Sequence, residues 1–352
     1  MSAVATLPAL FVALLAAPFG VLGDRIGHKR VLFLATLLYG FVGIAPLWLP
    51  SLQSIVVSRA VVGVAEAAIM TCSTALIGAY FVGSERERYL ALQTGTAPIV
   101  AFIVTKLGGV LGEQGWREPF WIYGFGFMLV PLTGVLLWES YVGRRGLPVE
   151  PALAAGPDAV TTVEAEAPLQ MRSLLWVCVV TVFGLSAFLV TAIQSSYLVA
   201  ERGLTSPQQI GTWVSLAMLA NPVGAVAFRL LPARLMGKLA LAFALMCTGQ
   251  AVMALSESWQ AAIGGAALAN LGAGMILPTL ITWALADVPA VHQGRGSGIW
   301  MAASFLGQFI SPFSIVKLKQ LTGSLSHAIL VYALACAVAC LLTLPAVLKG
   351  RR

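Results

Sequence analysis

Three charged side chains stand inside apolar stretches of this chain: Arg59 and Glu66 within 55–80, and Lys106 within 89–111. Seven residues separate Arg59 from Glu66, so on a helix they share one face about 10 Å apart. A charge at mid-membrane costs roughly 3 kcal/mol on insertion scales, and such residues are kept where they are paired or used. A desolvated carboxyl is also a candidate for proton exchange near neutral pH. Glu66 therefore reads as a coupling carboxylate, with Arg59 and Lys106 as its candidate partners. The competing reading is a buried structural ion pair, or an Arg59 that snorkels to the nearer interface. Lys106, just ahead of Gly108 and Gly109, has two readings of its own: a contact for an anionic solute, or a cation snorkelling outward.

A second set is neutral. Gln194, Asn221, Asn270 and Gln308, with Trp300 as an aromatic neighbour, fall near the middle of apolar stretches. Such groups can hydrogen-bond a solute in a cavity between two helical bundles. They can equally join helices, at about 0.6 kcal/mol each. Other chemistry finds no support. His28, His292 and His327 are scattered, the five cysteines form no CxxC pair, and no Ser/His/Asp set appears. No metal or cofactor is expected, and a membrane enzyme is disfavoured. The run GGAALANLGAGM (264–275) reads as a packing surface rather than a phosphate loop, because no strand precedes it.

These residues must be held by elements that suit the composition. Of 352 residues, 59% are hydrophobic and 10% charged, with mean hydropathy +0.90. Soluble domains carry roughly 25% charged residues, so a soluble protein and a disordered one are both excluded. Eleven stretches are long enough to cross a bilayer as helices: 4–22, 31–49, 55–80, 89–111, 120–138, 173–198, 209–230, 238–255, 260–286, 296–316 and 326–348. The expected fold is an all-α polytopic membrane protein. Cysteines inside these spans read as packing residues.

Lys and Arg set the orientation. Taking the segment with Arg25, Lys29 and Arg30 as cytoplasmic puts fifteen cations inside and four outside, namely Arg117, Arg202, Lys317 and Lys319. The C-terminus is then cytoplasmic. The net charge of +7 is an orientation signal, and no nucleic-acid partner is implied. Residues 140–171, rich in Ala, Pro, Gly and Glu, read as a cytoplasmic linker between an N-terminal bundle (1–139, five spans) and a C-terminal bundle (172–352, six spans).

The halves repeat. SERERYLAL with Arg88 matches HQGRGSGIW with Arg295, and WIYG with Tyr123 matches LVYA with Tyr332, at offsets of 207 and 209 residues. GVLGDRIGHKR (20–30) has a degraded counterpart in GAVAFRLLPARLMGK (224–238). On this matching the first half has one helix fewer than the second.

GVLGDRIGHKR resembles the signature loop of the major facilitator superfamily, G-x-L-a-D-R-x-G-R-K. Gly20, Asp24, Arg25, Gly27, Lys29 and Arg30 match, while Val21, Gly23 and His28 depart from it. SRAVVGVAEAA (58–68) resembles the family's fourth-helix motif through Arg59 and Gly63, with Glu66 a departure. GWREPFWIY and GQFISP resemble stretches common in bacterial members. The resemblance implies a two-bundle fold with eleven helices (5 + 6) in place of twelve, the chain starting at the family's second helix through a misassigned start or a shortened gene. It also implies a secondary transporter of a small organic solute working by alternating access. The bacterial inner membrane, a monomeric state and protons as coupling ion are the accompanying expectations, since no nucleotide-binding segment is present to supply energy. In such proteins the signature loop latches against a helix of the second half, here near Arg295 and Gly296; the alternative is a charged topology anchor. The Gly-Pro pair of the family's antiporters is replaced by Val104-Thr105. The competing function is a non-transporting fragment or membrane interaction protein.

Overall fold

The computed structural model describes residues 2–81, 83–138, 171–286 and 293–348; the expected linker lies outside them except for Met171. Among the described residues every regular element is a helix. They run α1 (Ser2–Ile26), α2 (His28–Ile44), α3 (Leu52–Tyr80), α4 (Gly83–Gly112), α5 (Phe125–Leu136), α6 (Met171–Glu201), α7 (Pro207–Met218), α8 (Ala220–Leu230), α9 (Leu235–Leu255), α10 (Trp259–Ala286), α11 (Gln293–Thr322) and α12 (Leu325–Leu348). Short 3-10 turns at Ala45–Leu47 and Glu118–Gly124 extend α2 and lead into α5. Each of the eleven apolar stretches falls on a helix or on a helix with a break.

Nine of these segments among the described residues are long and apolar enough to cross a membrane, and ten if the two halves of α1 form one span. The breaks have local causes. The halves Leu7–Ala16 and Pro18–Ile26 of α1 meet at 57°, where Pro18 removes a helical N–H and crowds the preceding turn. The span expected over 209–230 divides into α7 and α8, because Pro222 cannot donate to Met218. In α4 the first turns carry Glu85 and Arg88, and the apolar part shortens to Thr96–Gly112.

Packing follows the small residues. In the second half α9 lies against α10 and α12, and α6 lies against α10 and α11. Phe243, Met246, Met253, Ile276 and Leu280 fill the centre. The first half has a smaller core of Val31, Leu32, Ala35, Ala68, Cys72 and Leu76, where α2 and α3 meet. The glycine-rich run on α10 is a packing surface, as read from sequence. A Cβ on Gly272 would stand 2.5 Å from the Ala242 carbonyl oxygen, and one on Gly274 would stand 1.9 Å from that of Asn221. The halves meet chiefly where α1 packs on α11 and α4 packs on α7. All five cysteines are free.

The helices alternate between two faces. One carries the turn at Gly27 and the connection 231–234; the other carries 45–51, 113–117, 202–206, 256–258 and 323–324. They are called below the Gly27 face and the Glu113 face.

Overpacking a tight helix crossing costs about 1–3 kcal/mol. Gly274→Val should therefore lower the Tm of the purified protein by several degrees, whereas Gly264→Ala, which meets nothing within 4 Å, should leave it unchanged. A melting curve for Gly274→Val that overlays the wild type would refute this packing.

Candidate functional site

Arg59 owes its position to the end of α2. The last carbonyls of a helix have no partner within it, and in hydrocarbon each needs a donor. From α3, Arg59 supplies one: its Nη2 donates to the carbonyls of Val42 at 3.3 Å and Gly43 at 2.9 Å. The guanidinium lies over the rings of Tyr123, at 4.8 Å, and Phe120, at 5.1 Å. Tyr39 of α2 closes the group, 5.2 Å from Tyr123 between ring centres. Gly43 makes room for this, since a Cβ there would be 2.4 Å from the Tyr123 side chain. Arg59 is 3% exposed, and its Nε and Nη1 have no hydrogen-bond partner.

The magnitudes show why Arg59 tolerates this place without a carboxylate. Hydrogen bonds to a charged group contribute about 1.5–3 kcal/mol each, and a desolvated cation–π contact about 1–2 kcal/mol. Together they offset an insertion cost of roughly 3 kcal/mol. Accordingly, Arg59 and Glu66 form no ion pair, and Glu66 pairs with neither Arg59 nor Lys106. Glu201 pairs with Lys319 at 3.1 Å, and Asp24 approaches the His28 ring. Glu66 is partly buried on α3 and within electrostatic reach of Tyr39 and Tyr123. Lys106 is exposed on α4.

The signature loop forms a tight turn. Gly27 takes φ +104°, which a residue with a Cβ rarely adopts, and it divides α1 from α2. Asp24 is exposed and approaches His28 Nε2 at 3.6 Å, the His28 ring lying where a Cβ on Gly23 would stand. Gly20 does not mark a close approach: a Cβ there would meet Thr71 at an ordinary 3.7 Å, and the tight crossing is at Gly63 against Pro8. Arg25 and Arg30 are exposed, and Lys29 is partly buried. α1 packs on α11, the helix that begins near Arg295 and Gly296; those two side chains lie outside the described residues.

The neutral polar set is dispersed. Asn270 Nδ2 donates to Ala266 O at 2.9 Å, while its Oδ1 and Trp300 Nε1 are buried without partners. Asn221 lends its backbone to the α10 crossing, and Gln308 is partly buried on α11. Gln194 lines a cavity with Glu201 and Lys319. The matched tyrosines have different partners. Tyr123 covers Arg59, whereas Tyr332 shares hydrogen bonds with Ser186, at 2.9 Å, and Ser314.

Sequence reading missed Tyr39, Phe120 and Tyr123 as the shell of Arg59, and it missed a clasp at the Glu113 face. Gly109 and Gly211 bring α4 and α7 together, a Cβ on Gly109 standing 2.8 Å from Gly211 Cα. Just beyond, Glu113 accepts hydrogen bonds from Ser206 Oγ and from the Gln208 N–H at 3.0 Å. Ser206 in turn accepts from Gln209 N at 3.3 Å, as N-cap of α7. The hydrogen bonds from Ser206 and Gln208 hold the Glu113 carboxyl below the usual carboxylate range. No charged side chain among the described residues comes within 4 Å of it. The Ser-Pro pair at 206–207 is a legible helix start; its partner 93 residues earlier is not.

The Major Facilitator Superfamily profile matches residues 1–312. The chain is 27% identical over 312 residues to the 3-(3-hydroxy-phenyl)propionate transporter of Escherichia coli K12, covering 86% of this chain and 73% of that one. It is 26% identical over 238 residues to the methyl viologen resistance protein SmvA of Salmonella typhimurium, covering 64% of this chain and about half, 47%, of that protein. The human organic anion transporter MFSD10 (TETRAN) has a similar fold, with TM-score 0.69, 17% identity, and 97% of this chain and 83% of that one covered.

Because the Glu113 carboxyl is held below its ordinary pKa, the clasp contributes fully above the usual carboxylate range and is lost as pH falls through the lowered value. Wild-type Tm should fall on the acid side, and Glu113→Gln should already show the loss at neutral pH and remain flat below it. Acid melting profiles that coincide for the two proteins would rule the clasp out.

Proposed function

Since the chain belongs to the Major Facilitator Superfamily, a family of membrane transporters, we propose that it is a proton-coupled secondary transporter of a small organic anion. Alternating access would operate between a bundle of residues 1–139 and one of 172–352, joined by the cytoplasmic linker 140–171. The sequence likeness to a 3-(3-hydroxy-phenyl)propionate transporter supports an aromatic carboxylate as the class of solute. The observation that carries the reading is Arg59, a buried guanidinium whose Nη2 is committed to α2 while Nε and Nη1 have no hydrogen-bond partner. Those two nitrogens can each donate a charge-assisted hydrogen bond to an incoming carboxylate. Two helical turns along α3, Glu66 has no ionic partner and is the proposed site of proton exchange.

The cation bias supports reading the Gly27 face and the C-terminus as cytoplasmic and the Glu113 face as outside; a bacterial inner membrane and a monomeric state are proposed with it. On this reading α4 and α7 are closed together at the outer side by Gly109, Gly211 and Glu113, and outward opening breaks that contact. The signature loop serves as the inner counterpart: Asp24, Arg25, Lys29 and Arg30 hold α1 beside α11 until the inner side opens. Asn221, Asn270, Trp300 and Gln308 are proposed to line the solute path, and Lys106 to draw anions toward it.

Uptake of radiolabelled 3-(3-hydroxyphenyl)propionate into proteoliposomes, with and without an inward proton gradient, tests the reading. Accumulation should rise severalfold with the gradient. Glu66→Gln should erase that dependence, and Arg59→Ala should cut uptake by about a hundredfold, the loss expected when charge-assisted hydrogen bonds to the solute are removed. Gradient-driven accumulation that survives in Glu66→Gln would sink the coupling role.

A further inference from the structure

A cavity of about 530 Å³ opens on the Glu113 face between α6, α11 and the start of α12. Its rim is the ion pair of Glu201 and Lys319, 3.1 Å apart and each half exposed. Its wall is Ile315 and Val316, and its floor is Gln194 beside Tyr197. Glu201 follows Gln194 by seven residues on α6, so rim and floor are about 10 Å apart along the helix axis. Gln194 is 7% exposed, and its amide makes no hydrogen bond with the described residues. Lining the cavity with no protein partner, this amide is open to a ligand that supplies one.

The charged groups lining the mouth are Glu201 and Lys319, and Arg202 follows Glu201 at the end of α6. Arg202 is within electrostatic reach of Glu201, but its own donors are used on Ser256 Oγ and the carbonyls of Met253 and Ala254. Lys319 is thus the cation free to exchange partners, because an ammonium has three donors and Glu201 engages one. A ligand carboxylate arriving there competes with Glu201, which remains hydrated at the rim.

We propose that this cavity is a binding site, separate from the Arg59 region, for a small amphipathic monocarboxylate with a hydrogen-bonding group at its far end. The carboxylate pairs with Lys319, an apolar body about one ring wide lies on Ile315 and Val316, and the distal group meets the Gln194 amide. The inference rests on the reading of the chain as an organic-anion transporter and deepens it by naming a first station for the anion on the Glu113 face.

The test is direct binding to the purified full chain in lipid nanodiscs, with 4-hydroxyphenylacetate and phenylacetate as probes. Lys319→Gln should weaken both by about tenfold, Lys319→Arg should retain them, and Glu201→Gln should tighten both by about threefold because the rival carboxylate is gone. Gln194→Leu should erase the preference for the hydroxylated probe. A purely structural ion pair would make Lys319→Gln and Glu201→Gln act in the same direction, and that result overturns the proposal. So does an unchanged probe preference in Gln194→Leu, or a wild type that binds neither probe at millimolar concentration. Melting curves exclude misfolded variants. Because binding is read without transport, a wild type that binds with this pattern but moves no solute in proteoliposomes would fail the transporter reading and leave the site standing.

Discussion

A helix in hydrocarbon must find donors for its last carbonyls, and much of this structure follows from how that need is met. Water is absent there, and each open carbonyl is costly. The chain spends its few cations on the problem. Arg59 serves the end of α2, Arg117 reaches Leu47 O and Leu49 O just beyond it, and Arg202 serves the end of α9. Lys238 donates to Phe228 O at 2.6 Å near the end of α8, with its ammonium over the Phe228 ring. Each of these contacts also ties one helix to another, so capping and tertiary packing are one act. Opposite charge at a helix C-terminus is favourable in its own right, which explains why cations rather than neutral donors recur.

The two halves meet their polar needs differently, although their sequences repeat. The first half puts a guanidinium, two tyrosines and a carboxyl around α2 and α3. The second uses neutral groups: Gln250 Nε2 donates to Ala187 O and Thr191 Oγ1, both at 3.0 Å, and Ser311 donates to Ser186 O at 3.0 Å. A neutral network has one protonation state and fixes its helices. A network with Glu66 has two, which is the chemistry the proposed proton coupling calls on.

Much of this was legible in the sequence because membrane insertion writes itself locally. Composition fixed the solvent, run length fixed the helices, and the Asp24 to Arg30 stretch announced a turn whose Gly27 has the positive φ expected of it. Even the division of α7 from α8 has a local cause in Pro222. The site was less legible because its contacts are long-range. Arg59 and Glu66 stand out as charges, and their spacing suggested a pair; yet Arg59 has its acceptors 16 and 17 residues earlier, at the end of another helix. Periodicity places a residue on a face but does not say what the face meets. Lys319 gave a hint, being on the wrong side for the cation bias, and the reason is Glu201, 118 residues away. An exception to a local rule marked a non-local contact.

That contrast bears on how the charged residues divide between structure and transport. A cation engaged through both terminal nitrogens, such as Arg202 with three acceptors, holds helix ends in place. Arg59 is half engaged: Nη2 is committed to α2, and Nε and Nη1 are not. Its position is secured through Nη2, so Nε and Nη1 can gain or lose a partner without unfolding the end of α2. Lys319 shows the same economy at the rim, with its pair half exposed and its other donors open. Residues able to exchange partners at small cost to the fold are the ones a transport cycle can use, and in this chain they are the cations left incompletely satisfied by helix ends.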